Sequence, residues 1–267
     1  MNIFLHEFKT YLKSVGIWSA ANFLIILVYF SAFNAIAQES SDLQAMMNAF
    51  PDELLIAFGM NEMNFGTLLG WFAVVFLFSQ ICLAIQASNY GISLVSIEER
   101  ELTADFLLPK PVGRAKILTA KFLAALAALT VTNLVIWASS FFTINLVRDG
   151  QTYSFTILVM VLGTIVVFQL FFLSVGLLIS LLMKRVRSVI SLSMALAFGM
   201  YSLSVFGRMI GEAKLEIISP FRHFDPNYII SHQAYNWPLV AISLGAILIA
   251  IPVSYLLYQK RNITAAV

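Results

Sequence analysis

Charge is scarce in this chain. Only 11% of its 267 residues are Asp, Glu, Lys or Arg, where a soluble domain carries about 25%. With 60% hydrophobic residues and a mean hydropathy of +0.87, the composition excludes an ordinary soluble domain. A net charge of +2 offers no basic surface for nucleic acid, so no such partner is expected. Cysteine is nearly absent: Cys82 stands alone in an apolar run, so neither a disulfide framework nor a thiolate metal site can be built. Enzyme signatures are missing too. His6-Glu7 opens an H-E-x-x-H pattern, but Thr10 stands where the second histidine belongs. No Gly-x-Ser-x-Gly elbow occurs, nor any phosphate-binding Gly-x-x-x-x-Gly-Lys-Ser/Thr loop. The chain cannot hydrolyse a nucleotide by itself, and no cofactor or metal is expected in it.

What the chain has in abundance is long apolar runs. A spanning helix needs roughly 20 consecutive apolar residues. Six runs qualify, at 16–37, 66–95, 117–147, 154–183, 189–211 and 237–258. The expected fold is an all-α polytopic membrane protein forming one membrane domain over residues 1–267. Ala35-Ile36-Ala37 resembles a signal-peptidase site, but the apolar run before it exceeds the roughly 7–15 residues of a signal core, so the first run is expected to be retained. Trp18, Trp71 and Trp237 fall near run ends, where amphipathic rings favour the headgroup level; Trp137 falls inside a run and is expected between helices.

Orientation follows from the basic residues of the connections. Lys9, Lys13, Arg100, Lys110, Arg114, Lys116, Lys121, Lys184, Arg185, Arg187, Lys260 and Arg261 fall on one side; only Arg148, Arg208, Lys214 and Arg222 fall on the other. Both termini are therefore expected in the cytoplasm of a cell membrane, in a prokaryotic setting.

Three segments outside the spans carry pattern. In 1–15, Phe4, Phe8, Tyr11, Leu12 and Val15 recur at helical spacing among His6, Glu7, Lys9 and Lys13, the mark of an amphipathic interface helix. In the extracytoplasmic connection 38–65, Leu43, Met46, Met47, Phe50, Leu54 and Phe58 share a face, Ser41 and Gln44 suggest a capping box, and Pro51 suits a bend or first turn. In the connection 212–236, Leu215, Ile217, Ile218 and Phe221 could dip into the bilayer, where irregular backbone needs protein or water to cover it.

The spans hold almost no ionisable residues. A carrier coupled to ions or protons must bind and release its coupling charge on an intramembrane carboxylate, histidine or lysine, so that class is disfavoured. Gln80, Gln86, Asn89, Asn133 and Gln169 are the polar residues at depth. They serve either as interhelical hydrogen bonds of about 0.6 kcal/mol each or as the lining of a substrate path. Gly66 and Gly70 fit G-x-x-x-G, a pattern for close helix approach within one chain or between two. His223, Asp225 and His232 share one connection and would be the residues of a membrane-embedded lipid-modifying enzyme; hydrogen-bonded loop residues are the plainer reading.

One short stretch breaks the apolar pattern. Residues 98–121 hold nine of the thirty charged residues and two of the seven prolines. Glu98, Glu99, Arg100 and Glu101 suit the start of a short helix, favoured by its positive N-terminus. Leu102, Phe106 and Leu107 give it an apolar face, and Pro109 and Pro111 end it. Arg114, Lys116 and Lys121 would anchor the next span at the phosphate level. A basic loop would satisfy the orientation rule; the acidic cluster goes beyond it and makes a docking surface for a soluble partner.

At these residues the chain resembles the permease subunits of ABC transporters of the second exporter class. Glu98-Glu99-Arg100, Thr103, Leu107-Leu108, Pro111-Val112-Gly113-Arg114 and Lys121-Phe122-Leu123-Ala124 follow that family's first cytoplasmic loop, with Leu102 replacing its glycine and Pro109 additional. Phe50-Pro51-Asp52-Glu53-Leu54-Leu55, Ser219-Pro220-Phe221 through Phe224-Asp225-Pro226, and the tail Tyr258-Gln259-Lys260-Arg261-Asn262-Ile263 agree with other segments of the family. The resemblance implies an exporter subunit that pairs with a second permease, identical or homologous. It also implies two copies of a separate ABC ATPase that bind ATP and Mg. Residues 98–113 would act as the coupling helix, with Glu98, Glu99, Arg100, Glu101, Thr103, Phe106, Leu107, Pro111 and Arg114 as its contact residues. The implied substrates are amphiphilic: lipid-like molecules, peptides or antibiotics. A carrier that needs no ATP, or a membrane scaffold, is the alternative.

Overall fold

A computed structural model of the chain describes residues 3–39, 49–51, 55–56, 64–101, 113–211 and 213–260, and of 97–101 and 213 the backbone alone. Among these residues the structure is helical, with no strand. α1 (Ile3–Ser31) is followed after a single turn residue by α2 (Phe33–Gln38). α3 (Leu68–Glu101), α4 (Arg114–Val147), α5 (Phe155–Leu182) and α6 (Val189–Ile210) come next. Three short helices, α7 (Ala213–Glu216), α8 (Pro220–His223) and α9 (Pro226–His232), lead to α10 (Trp237–Lys260). Six helical segments, α1 with α2, α3, α4, α5, α6 and α10, are long and apolar enough to cross a membrane, as the apolar runs require.

Local chemistry sets several boundaries. The Ser154 hydroxyl accepts from the Ile157 amide at the start of α5, and Ser188 accepts from the Ser191 amide at the start of α6. Asp225 caps α9, whose first residue is Pro226. In the 38–65 connection, the Leu55 amide donates to the Pro51 carbonyl at 3.3 Å, closing one turn after the proline. The Ser41 and Gln44 capping pair and most of the remaining face lie outside the described residues.

Two boundaries differ from the sequence reading. Residues 3–15 and the first span form one helix, because nothing between Ile3 and Ser31 interrupts it and its inner face has partners: Tyr11 packs on Tyr90 with ring centroids 4.4 Å apart. Glu98–Glu101 likewise prolong α3 instead of opening a separate helix, since neither proline nor glycine follows Gly91 until Pro109. At 34 residues each, α3 and α4 measure about 51 Å, well beyond a hydrocarbon core of about 30 Å. They project at the end of the bundle that carries both termini. The start of α1 and the end of α10 share that end because Glu7 pairs with Lys121 of α4 at 3.5 Å, while Arg114 of α4 donates to the Gln259 carbonyl at 3.3 Å and the Thr119 and Tyr255 hydroxyls lie 2.8 Å apart.

α3 and α5 form the buried centre. α6 and α1 lie against α3, α10 against α5, and α4 against α1. The central crossing depends on two glycines. A Cβ at Gly91 would overlap the Leu173 carbonyl, and one at Gly176 would stand 2.9 Å from the Ser88 carbonyl. The backbones therefore touch directly, the contact that drives helix association in lipid. The G-x-x-x-G pair does not serve this purpose. Gly66 lies in the turn before α3, and Gly70 makes room for the Asn64 carbonyl of that same turn. Trp71 is buried and donates to the Tyr29 carbonyl at 3.1 Å instead of facing headgroups. Trp137 is half-buried and meets Phe141 edge-on.

At the far end the 212–236 connection folds back into the bundle. Phe221 and Phe224 are buried against Phe168, with ring centroids at 5.2 and 6.2 Å. Protein thus covers the backbone that the sequence sends towards the bilayer, while Ile217 and Ile218 stay exposed.

Candidate functional site

The terminal end holds the first cluster of interest, at the root of the 98–113 connection. Of its expected contact residues, Glu98, Glu99, Arg100 and Glu101 are described only as helical backbone, and Thr103, Phe106, Leu107 and Pro111 lie outside the described residues. Arg114 opens α4 and ties it to the end of α10 through the Gln259 carbonyl.

Lys121 corrects the sequence reading. Instead of reaching out to phosphates it is buried, with its Nζ donating to the Leu94 carbonyl at 3.1 Å and pairing with Glu7 at 3.5 Å. A lysine two turns inside α4 therefore joins the last turns of α3 to the first turns of α1. Burial makes that bond geometry matter, since a buried charge left unpaired is strongly destabilising. No sequence pattern announces Glu7 as its partner; only packing brings residues 7, 94 and 121 together.

Deeper along the same three helices runs a hydrogen-bonded chain. Tyr90 donates to Ser14 at 3.0 Å, and Gln86 donates to Tyr90 at 3.2 Å and to Thr132 at 2.9 Å. It links α1, α3 and α4. Of the amides at depth, Gln86 is thus an interhelical bond, whereas Gln80 ties α3 to the 212–236 connection: its Nε2 donates to the Phe224 carbonyl, between α8 and α9, at 2.9 Å. Asn89 is half-buried, and Asn133 is buried with its Oδ1 unpaired. Gln169 differs from all of them, being 1% exposed with neither amide atom bonded. Each such group costs about 1–3 kcal/mol. Gln169 lies one turn before Leu173 and two before Gly176, on the stripe of α5 that faces α3.

The far end holds a second cluster. Asp225 Oδ2 accepts from Arg208 at 2.7 Å and from Arg222 at 3.0 Å, Asp225 Oδ1 accepts from the Asn227 amide at 3.0 Å, and Arg222 also pairs with Glu216 at 3.2 Å. Burial opposes the charge on Arg222, but Asp225 and Glu216 outweigh it and raise its pKa. His223 is buried. Its Nε2 faces the Ile217 carbonyl at 2.9 Å and therefore carries the proton, while Nδ1 accepts from Ser243 at 2.6 Å. Burial lowers its pKa, outweighing the backbone carbonyls that favour the cation. His232 is exposed and stacked on Tyr228 at 4.1 Å. His223, Asp225 and His232 do not converge on a reaction centre; each is occupied by structural bonds.

A family model described as "ABC-2 family transporter protein" matches residues 1–263. No curated protein and no solved structure matches the chain.

Proposed function

The chain belongs to the ABC-2 transporter family, and from that membership we propose that it is the membrane subunit of an ATP-driven exporter. Two such subunits, identical or homologous, form the pathway, and each binds a separate ABC ATPase that supplies ATP and Mg chemistry. Residues 98–113 form the docking element, and the side bearing the termini faces the cytoplasm. The export substrate is amphiphilic. Between the Lys121 cluster at one end and the Asp225 cluster at the other, the buried polar side chains are amides and hydroxyls, which suits that class better than it suits a free ion.

The observation that carries the coupling proposal is the arrangement around Lys121. The connection leaves α3 at its last turn and rejoins the chain at α4, and the Leu94–Lys121–Glu7 contacts clamp both roots to α1. The Ser14–Tyr90–Gln86–Thr132 chain continues the linkage inward. A force applied to the connection reaches three helices at once. The amphipathic face of 3–15 belongs to this assembly, which explains why it packs on α3 instead of diverging along the interface.

The test is co-purification. With a cognate ABC ATPase co-expressed, replacing Glu98, Glu99 and Glu101 by Lys is expected to abolish its recovery while membrane insertion is retained. Full recovery of the ATPase with the triple variant would overturn the docking role.

A further inference from the structure

Where α3, α5 and the 212–236 connection meet, the buried amides are poorly used. Gln80 Nε2 donates to the Phe224 carbonyl at 2.9 Å, but its Oε1 has no partner. Gln169 bonds through neither amide atom. Both side chains are sealed from solvent, so no water supplies what they lack. Buried polar groups are normally bonded. Three unbonded atoms at one closed junction call for protein partners in another arrangement.

Helix register shows which partners are near. Residues 80, 84, 88 and 91 share one face of α3, and 169, 173 and 176 share one face of α5. These faces touch where Gly91 meets the Leu173 carbonyl and Gly176 meets the Ser88 carbonyl. Both helices start at the far end. The same register carried outward sets Gln169 opposite Ala84, whose methyl offers no bond, and one turn, about 5.4 Å along the axis, from Gln80. Two glutamine side chains together span that gap. Phe224 places the amides at the same junction: its carbonyl holds Gln80, and its ring packs on Phe168, the neighbour of Gln169.

We propose that Gln80 exchanges partners between two arrangements of this junction. In the observed one it holds the connection through Phe224. In the other the amides pair head to tail, Gln169 Nε2 donating to Gln80 Oε1 and Gln80 Nε2 to Gln169 Oε1. The Phe224 carbonyl is then released to water as the connection lifts from Phe168. One bond with three unbonded atoms becomes two bonds with none, against the loss of the aromatic seat of Phe221 and Phe224. Gain and cost oppose each other, as a populated minor state requires. In the exporter proposed above, substrate leaves at this end and the connection is its releasable cover; the exchange itself stands without that reading.

Hydrogen exchange of the detergent-purified full chain, read by mass spectrometry over residues 219–232, tests it without an ATPase. Gln169→Met keeps the shape and removes the second partner. Exchange in that segment should slow about tenfold, the worth of one buried hydrogen bond, with α4 unchanged. Gln80→Met removes the present hold and should speed it, and adding Gln169→Met to that variant should then change nothing. Unchanged or faster exchange in Gln169→Met overturns the proposal. So does a slowing that persists in the Gln80→Met background, which is relief of an unbonded amide and nothing more. Ala84→Ser offers Gln169 a bond in place with Gln80 intact and should slow the same segment; no slowing there overturns the exchange even if Gln80→Met fails to fold.

Discussion

His223 turns local burial into a pH dependence. Its neutral ring bridges the Ile217 carbonyl before α8 and Ser243 of α10, and burial holds its pKa below the ordinary value of 6.5. The folded state then binds fewer protons than the unfolded state in the window just below that value. Its contribution to stability is complete above pH of about 6.5 and is lost as pH falls towards the lowered folded value. Thermal melts in detergent should show the wild type losing stability between about pH 7.5 and 5.5, and His223→Gln losing less. An identical slope for the two proteins would exclude His223 as the source. Lys121 and Arg208 make a related point. Lys121 reads from sequence as a phosphate-level anchor and Arg208 only as a basic residue of the opposite side, yet Lys121 is buried and Arg208 nearly so, because their partners Glu7, Leu94 and Asp225 come from other segments.

Among the elements, the α3–α5 pair sets the bundle. Hydrophobic periodicity marks both as spans but does not show which helix each will touch, since an apolar helix in lipid is apolar all round. Small residues at the crossing decide it. Gly91→Val forces a side chain into the Leu173 backbone and should destabilise by about 1–3 kcal/mol or more, seen as a lower melting temperature and loss of monodispersity in detergent. Gly199→Ala on α6, where a Cβ meets nothing within 4 Å, is the control and should melt like the wild type. A matching loss in both would mean that the crossing is not special. The apparent glycine motif at Gly66 and Gly70 shows why spacing alone misleads: the first glycine is not on the helix.

For the molecule as a whole, the charge distribution and the bundle agree on which segments share an end. Residue contacts gather Glu7, Lys121, Arg114 and Gln259 at one end, where the basic connections cluster in sequence. Orientation follows if that end is cytoplasmic. In a Cys82→Ser background, an impermeant maleimide added to intact cells should label Ala234→Cys, in the exposed turn before α10, and not Lys184→Cys, between α5 and α6. Inverted vesicles should give the opposite pattern. Labelling of Lys184→Cys from outside would reverse the proposed topology.

The sequence alone determined the class, the six spans and the family, because each rests on local quantities: apolar run length against bilayer thickness, charge per connection, and the order of short motifs. It also located the island at 98–121, since density of charge needs no structure to be seen. Only the tertiary structure decided that residues 3–31 are one helix, that Lys121 is buried against Glu7 and Leu94, that Gly91 and Gly176 carry the central crossing, and that Arg208 and Arg222 meet on Asp225. The physical reason is common to all four. Hydropathy in a membrane chain says which residues leave water, but the meeting of two buried groups depends on helix rotation and crossing, which apolar sequence leaves free until the helices pack.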